Sequence, residues 1–357
     1  MKPILAAMLS VSGTALTDAE KRILEKAQPL GVSLFKRNVE NLGQVKRLTD
    51  EIRCAIGRDD VLIAIDQEGG RVCRYTPTDI PTGYYSAEAL GSLTSDDERD
   101  EMIRCHAFLI ADDLKKMGVN WVYAPVLDVL YPDTTAALVG RCFSDDEKKI
   151  ATCGRTMVGA YVSQGICPCV KHLPGHGRAV VDPHLSLPVL DYSLSDLKRD
   201  FYPFEQVAPF APAGMTAHIV IPEIDDKPIT QSAKGIKELI RTRMGFDGLL
   251  ISDAIDMHAL KGSLCERVQN SLSAGCDVIC YCFGKENELR EVVQSASPMT
   301  DKALSRYQKV KDILMRPVAP LERKEVVERY MQLGKKTLSS NVGYDAVEIL
   351  HKMEKRK

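Results

Sequence analysis

Three of the seven histidines, His172, His176 and His184, stand in the fourteen residues Lys171-His172-Leu173-Pro174-Gly175-His176-Gly177-Arg178-Ala179-Val180-Val181-Asp182-Pro183-His184. Imidazoles ligate metals and exchange protons near neutral pH. Asp182 lies two residues before His184. A carboxylate beside an imidazole orients the ring and favours its charged form, and such a ring can protonate a leaving group and later deprotonate water. The plainer alternative is a surface histidine with an incidental neighbour. Gly175 and Gly177, flanking His176, argue for an unusual backbone path around chemistry.

Other polar residues follow apolar runs. Gly245-Phe246-Asp247-Gly248-Leu249-Leu250-Ile251-Ser252-Asp253 delivers a carboxylate at the end of a buried strand. Asp253 could attack an electrophilic carbon, bind a metal or cap the next helix. In Asp66-Gln67-Glu68-Gly69-Gly70-Arg71-Val72-Cys73-Arg74, Asp66 could accept hydrogen bonds from vicinal hydroxyls and Arg74 could donate to an oxygen-rich ligand. A salt-bridged turn would spell the same way. Lys171 and His172 close another apolar run, Asp128 follows one, and His218 ends one. His176 and His218 are expected to tie loop and strand ends together by hydrogen bonds, and Asp128 either touches ligand or braces the rim.

The elements that must position these residues are short apolar runs: Ile4–Leu9, Val32–Phe35, Val61–Ile65, Val119–Ala124, Ile166–Lys171, Gly214–Ile219, Leu249–Ser252 and Val278–Cys282. Charged, amphipathic stretches separate most of them. Thr17-Asp18-Ala19-Glu20, Ser95-Asp96-Asp97-Glu98 and Ser144-Asp145-Asp146-Glu147 have the capping-box spelling of helix starts. Eight strands alternating with helices predict an α/β fold, a closed (β/α)8 TIM-type barrel, with the polar residues on one rim. An open doubly wound sheet is the alternative, but no Gly-x-Gly-x-x-Gly follows the first strand. Residues 1–357 read as a single barrel domain, with roughly 284–357 as a C-terminal helical segment packed on its outside.

Composition narrows the function. The 357 residues are 45% hydrophobic and 27% charged, with a net charge of −2 and no basic face for nucleic acid or a membrane surface. The one basic cluster, His351 to Lys357, reads as a frayed helix end. Eleven cysteines, several inside apolar runs, suit small buried hydrophobes in a reducing compartment. The Cys167-Pro168-Cys169 and Cys280-Tyr281-Cys282 pairs lack the second ligand pair of a zinc finger. The first apolar run is brief and a capping box follows it, so strand-then-helix is a better reading than a signal peptide, and a cytoplasmic location is expected.

Together, the order and spelling of these segments resemble glycoside hydrolase family 3, and within it the single-domain bacterial β-N-acetylhexosaminidases of the NagZ type. The resemblance covers nearly the whole chain. It runs through Leu34–Asn38, Ile65–Val72, Ala124–Val129, Gly140–Ser144, the Lys171–His184 run, Met215–His218 and Gly245–Ala254. The Lys-His-x-Pro-Gly-His-Gly element followed by Asp-x-His carries most of the specificity. The resemblance implies a retaining mechanism with a glycosyl-enzyme on Asp253 and His184 as acid/base partnered by Asp182. It also implies that Asp66, Arg74, Arg141, Lys171 and His172 hold N-acetylglucosamine. The implied substrate is N-acetylglucosaminyl-1,6-anhydro-N-acetylmuramic acid and its peptides, taken by a cytoplasmic enzyme of peptidoglycan recycling. No cofactor or metal, no nucleic-acid or membrane partner, and a monomer are expected. Pro183 departs from the branch, where Ser is common. Three other readings stay open: a phosphorylase using the same pair, a zinc hydrolase using His172, His176, His184 and Asp253, and a sugar-binding module without chemistry.

Overall fold

A buried strand whose side chains alternate between two apolar environments needs both faces covered, and a barrel ringed by helices supplies them. The computed structural model describes residues 2–320 and 322–337. Its strands are β1 (Leu5–Leu9), β2 (Pro29–Leu34), β3 (Leu62–Ile65), β4 (Gln67–Gly69), β5 (Val72–Cys73), β6 (Trp121–Val122), β7 (Cys167–Leu173), β8 (Ala213–Thr216), β9 (Leu249–Ala254) and β10 (Val278–Cys280). Eight of them pair in parallel and close in the order β1-β10-β9-β8-β7-β6-β3-β2. This is the (β/α)8 barrel expected from the alternation of apolar runs and helices.

The pleat explains the packing. Ala6 and Met8, Leu62 and Ala64, Trp121 and Tyr123, Cys167 and Cys169, and Leu249 and Ile251 fill the interior. The alternate residues Ala7, Leu9, Ile63, Ile65, Val122, Val170 and Leu250 face the helices. All eleven cysteines are free thiols, and Cys167, Cys169 and Cys280 pack as small hydrophobes inside the barrel. The fourth barrel strand is shorter than expected. Before it, the Asn120 side chain does the pairing, accepting from Ile63 N–H at 2.7 Å and donating to Val61 carbonyl at 3.1 Å.

Helix starts largely follow their spelling. Thr17 and Glu20 form a complete capping box, and Ser95 caps through the Glu98 amide. In the third case the cap moves to Asp146, whose carboxylate reaches two helical amides, while Ser144 bonds the Asp146 amide instead. A carboxylate is the better acceptor at the positive end of a helix.

Two C-terminal helices pack in different places. Asp301–Leu314 stoppers the end opposite the polar rim: Ala303, Tyr307 and Val310, spaced four and three apart, join the interior cluster with Met299. Arg323–Gly334 lies against the helix Asp96–Lys116, with Arg323 paired to Asp79, Asp112 and Asp113. Residues 338–357 of the expected segment, including the basic cluster His351 to Lys357, lie outside the described residues.

Candidate active site

The interior parity of each strand dictates what reaches the rim. Continuing 62, 64 gives Asp66; 167, 169 gives Lys171; 249, 251 gives Asp253. All three line one cavity of about 100 Å³ at the barrel mouth, together with Arg74, Arg141, His172 and His184. Of the eight predicted site residues, only Asp182 is not on its wall, and it touches His184 directly.

Asp253 sits at the end of β9. Its Oδ1 accepts the Ala254 N–H at 2.7 Å, and its own amide donates to Thr216 Oγ1 at 3.4 Å. Burial would push this carboxyl up. Interactions with His218 and His172, the Ala254 amide and His184 outweigh burial and hold it at about 2, so it is ionised. Ser252, by contrast, turns back to bond the β10 amide of Cys280 at 3.0 Å.

Asp66 belongs to an ion-pair cluster. It takes the Lys171 ammonium at 2.9 Å and Arg74 at 3.4 Å. Glu68, on the β4–β5 hairpin, binds Lys171 at 2.6 Å and receives Arg141 as a two-pronged fork at 2.8 and 2.9 Å. Burial opposes ionisation of both acids, but the facing cations prevail: Lys171 and Arg74 lower Asp66, and Arg141 and Lys171 lower Glu68. Lys171 is only 2% exposed and stays charged for the same reason, its acids outweighing burial. Breaking such a buried pair typically costs about 3–5 kcal/mol. The sequence reading passed over Glu68 as a turn residue. The available signal was charge balance, since Lys171, Arg74 and Arg141 otherwise share a single acid.

The hairpin carrying Glu68 turns through Gly69 and Gly70, at φ of 96° and 56°. A Cβ on Gly69 would stand 2.2 Å from the Tyr85 carbonyl oxygen and 2.7 Å from the His106 ring. Glycine is required there both by conformation and by space.

His172 follows Lys171 and donates Nδ1–H to Asp128 at 2.7 Å. Asp128 is fully buried and also takes the His176 amide at 2.7 Å, so it braces the rim. His176 ties the loop through its backbone, its carbonyl also accepting the Ala179 amide at 3.0 Å. Its ring nitrogens have no partner among the described residues, and burial lowers its pKa to about 4. His218 does tie strand ends: Nε2–H donates to the Ala254 carbonyl at 2.9 Å, and Nδ1 meets Thr230 Oγ1 at 2.8 Å.

Asp182 and His184 sit together in a loop. Asp182 Oδ1 accepts from His184 Nδ1 at 2.7 Å and from the His184 amide at 2.9 Å. The Nδ1 proton is thereby fixed, which leaves Nε2 as the nitrogen free to exchange one. The carbonyl of Pro183 accepts the Ala259 amide at 3.1 Å, tying the loop to the turn that follows Asp253. Proline has no N–H to offer, and here its carbonyl does the anchoring. Among the described residues, no three His, Cys, Asp or Glu side chains converge at metal-ligand spacing.

Asp253 and the Asp182-backed imidazole of His184 thus line the same pocket as the ion-paired cluster. A sequence profile described as the glycosyl hydrolase family 3 N terminal domain matches residues 5–312. A β-hexosaminidase of Bordetella avium is 33% identical over 306 residues, covering 83% of this chain and 86% of that protein. The crystal structure of NagZ from Neisseria gonorrhoeae in complex with N-trifluoroacetyl-D-glucosamine superposes with a TM-score of 0.81 at 27% identity, over 93% of this chain and 98% of that one. A family 3 β-N-acetylglucosaminidase from Paenibacillus sp. gives 0.80 at 25% identity, over 92% and 67%. The chain belongs to glycosyl hydrolase family 3.

Proposed function

We propose that the protein is a retaining exo-β-N-acetylglucosaminidase, a β-N-acetylhexosaminidase of the EC 3.2.1.52 class. The observation that carries this reading is the pairing of Asp253, ionised at the end of β9, with the Asp182–His184 couple on the same pocket. The similarity to β-hexosaminidases, and to a NagZ crystallised with an N-acylglucosamine, supports the choice of sugar.

In the first step Asp253 attacks the anomeric carbon of the terminal sugar while His184 Nε2–H protonates the glycosidic oxygen. The aglycone leaves as an alcohol and a glycosyl ester remains on Asp253. His184, now neutral and holding its Nδ1 proton on Asp182, takes a proton from water, and the hydroxyl displaces Asp253 with net retention. An imidazole thus replaces one of the usual two carboxylates. Asp66, Arg74, Arg141, Lys171 and His172 hold the sugar hydroxyls.

The physiological substrate in this reading is N-acetylglucosaminyl-1,6-anhydro-N-acetylmuramic acid, with or without its peptide, degraded in the cytoplasm during peptidoglycan recycling. Among the described residues no helix is long and apolar enough to cross a membrane. The deciding experiment compares a chromogenic β-N-acetylglucosaminide with the matching β-glucoside, then offers the anhydro-disaccharide. Strong preference for the acetamido sugar and release of free N-acetylglucosamine are expected; equal rates on the two glycosides would refute the assignment. Repeating the assay with phosphate separates hydrolysis from phosphorolysis, since a phosphorylase would yield the sugar 1-phosphate.

A further inference from the structure

The mechanism gives Glu68 no part, yet it meets two of the cations that face the sugar. Its carboxylate is absent from the cavity wall, whereas Lys171 and Arg141 are on it. Glu68 therefore acts from behind, and what fixes Glu68 fixes the cations.

The support runs out to the C-terminal helix. The Glu68 carbonyl lies 3.0 Å from His106 Nε2. A carbonyl only accepts, so Nε2 carries the hydrogen. His106 is fully buried, and burial brings its pKa down to about 4, so the ring is neutral and Nδ1 is an acceptor. The Tyr330 hydroxyl, 2.8 Å away, is the donor to Nδ1. Tyr330 Oη itself accepts the Tyr85 amide at 2.9 Å. Every hydrogen in this chain has one direction. The Tyr330 and Tyr85 rings meet edge to face at 5.3 Å, and His106 presses on Gly69 beside Glu68. Tyr330 lies on Arg323–Gly334, beyond the residues 5–312 matched by the family profile.

We infer that His106 and Tyr330 are positioning residues: through the Glu68 backbone they set the β4–β5 hairpin, and through its carboxylate they set Lys171 and Arg141 against the sugar. The helix Arg323–Gly334 is in this sense part of the sugar-binding apparatus. The inference rests on the sugar-holding role proposed above for Lys171 and Arg141. Cations that grip hydroxyls do so in both the ground and transition states, so misplacing them raises KM more than it lowers kcat.

The test uses the full chain, an N-acetylglucosaminide, and active-site titration to correct for misfolded enzyme. Tyr330→Phe removes one hydroxyl and keeps the ring. It should raise KM about 3- to 10-fold with kcat within about twofold. Glu68→Gln should raise KM at least about 30-fold. If Tyr330 acts through Glu68, adding Tyr330→Phe to Glu68→Gln has little further effect. His106→Gln, whose amide can still donate to the Glu68 carbonyl, should retain a lower KM than His106→Leu. A purely structural role would lower the fraction of active enzyme and the melting temperature while leaving KM alone. Unchanged KM in Tyr330→Phe, or fully additive effects in the double variant, would overturn the inference. Should His106→Leu not fold, the Tyr330 and Glu68 variants still decide it. A wild-type enzyme inert toward N-acetylglucosaminides would instead refute the proposed function.

Discussion

The two halves of the pocket are built differently. On one side Asp66, Lys171 and Asp253 are strand-borne, placed by the pleat of the barrel and locked by ion pairs and backbone amides. On the other side Asp182 and His184 hang in a loop whose Val180, Val181, Leu185 and Val189 are exposed to solvent. Lys171 is 2% exposed; the His184 side chain is 18% exposed. In the proposed mechanism, the groups assigned to hold the sugar are thus fixed by the core of the fold, and the group assigned to move a proton is held by a few local hydrogen bonds. Precision in the first half is inherited from the barrel. In the second it comes from the Asp182 carboxylate and the Pro183 anchor.

This contrast can be broken by mutation. The largest effect is expected at strand-borne Asp253, the proposed nucleophile. Asp253→Ala should lower kcat more than about 10⁴-fold, regardless of leaving group. Comparable fold-losses relative to wild type on activated and natural substrates, measured side by side, check that indifference. The loop should behave otherwise. His184→Ala should cost about 10²- to 10⁴-fold on a natural disaccharide and far less on a nitrophenyl glycoside, whose leaving group needs no proton. A natural disaccharide cleaved at the wild-type rate by His184→Ala would remove His184 from the acid/base role.

Lys171→Met, in the ion-paired half, should raise KM by at least about tenfold and also destabilise the fold by roughly 3–5 kcal/mol, because Asp66 and Glu68 lose a buried partner. Denaturant unfolding read alongside kinetics tests both consequences. The smallest effect concerns Asp256, which also lines the cavity. Burial, opposed by backbone hydrogen bonds that include the Cys282 amide, raises its carboxyl from 3.8 to about 7. A raised carboxyl favours the folded state when protonated, and this contribution is lost as pH climbs from about 4 through 7. Asp256→Asn should therefore gain stability over wild type progressively across that window and hold the gain above it. Melting curves at pH 5 and pH 8 with equal advantage would contradict the burial argument.

Much of this pocket was legible because strands obey parity. Asp66, Lys171 and Asp253 stand at the ends of runs whose alternate residues point inward, so the sequence itself places them on one rim. Spelling also revealed the Asp182–His184 couple, since two residues of separation suffice for their contact. Glu68 escaped because an acid after a strand reads as a turn, and its meaning depends on Arg141 and Lys171, far along the chain. The partners His106 and Tyr330 lie 224 residues apart, and no local pattern connects them. His176 ties the loop by hydrogen bonding as expected, but through its backbone amide, a detail that spelling does not specify. Helix Asp301–Leu314 looked like one more amphipathic stretch, and only closure of the barrel shows that its apolar stripe fits the floor.

That stopper has a consequence for traffic. Among the described residues, Tyr307 and Val310 fill the far end of the barrel, so the pocket is closed below and opens at the rim. A polymer can present its tip but cannot thread through. In the proposed reaction the liberated monosaccharide leaves through the same rim by which the next substrate arrives, so product and substrate queue for one opening.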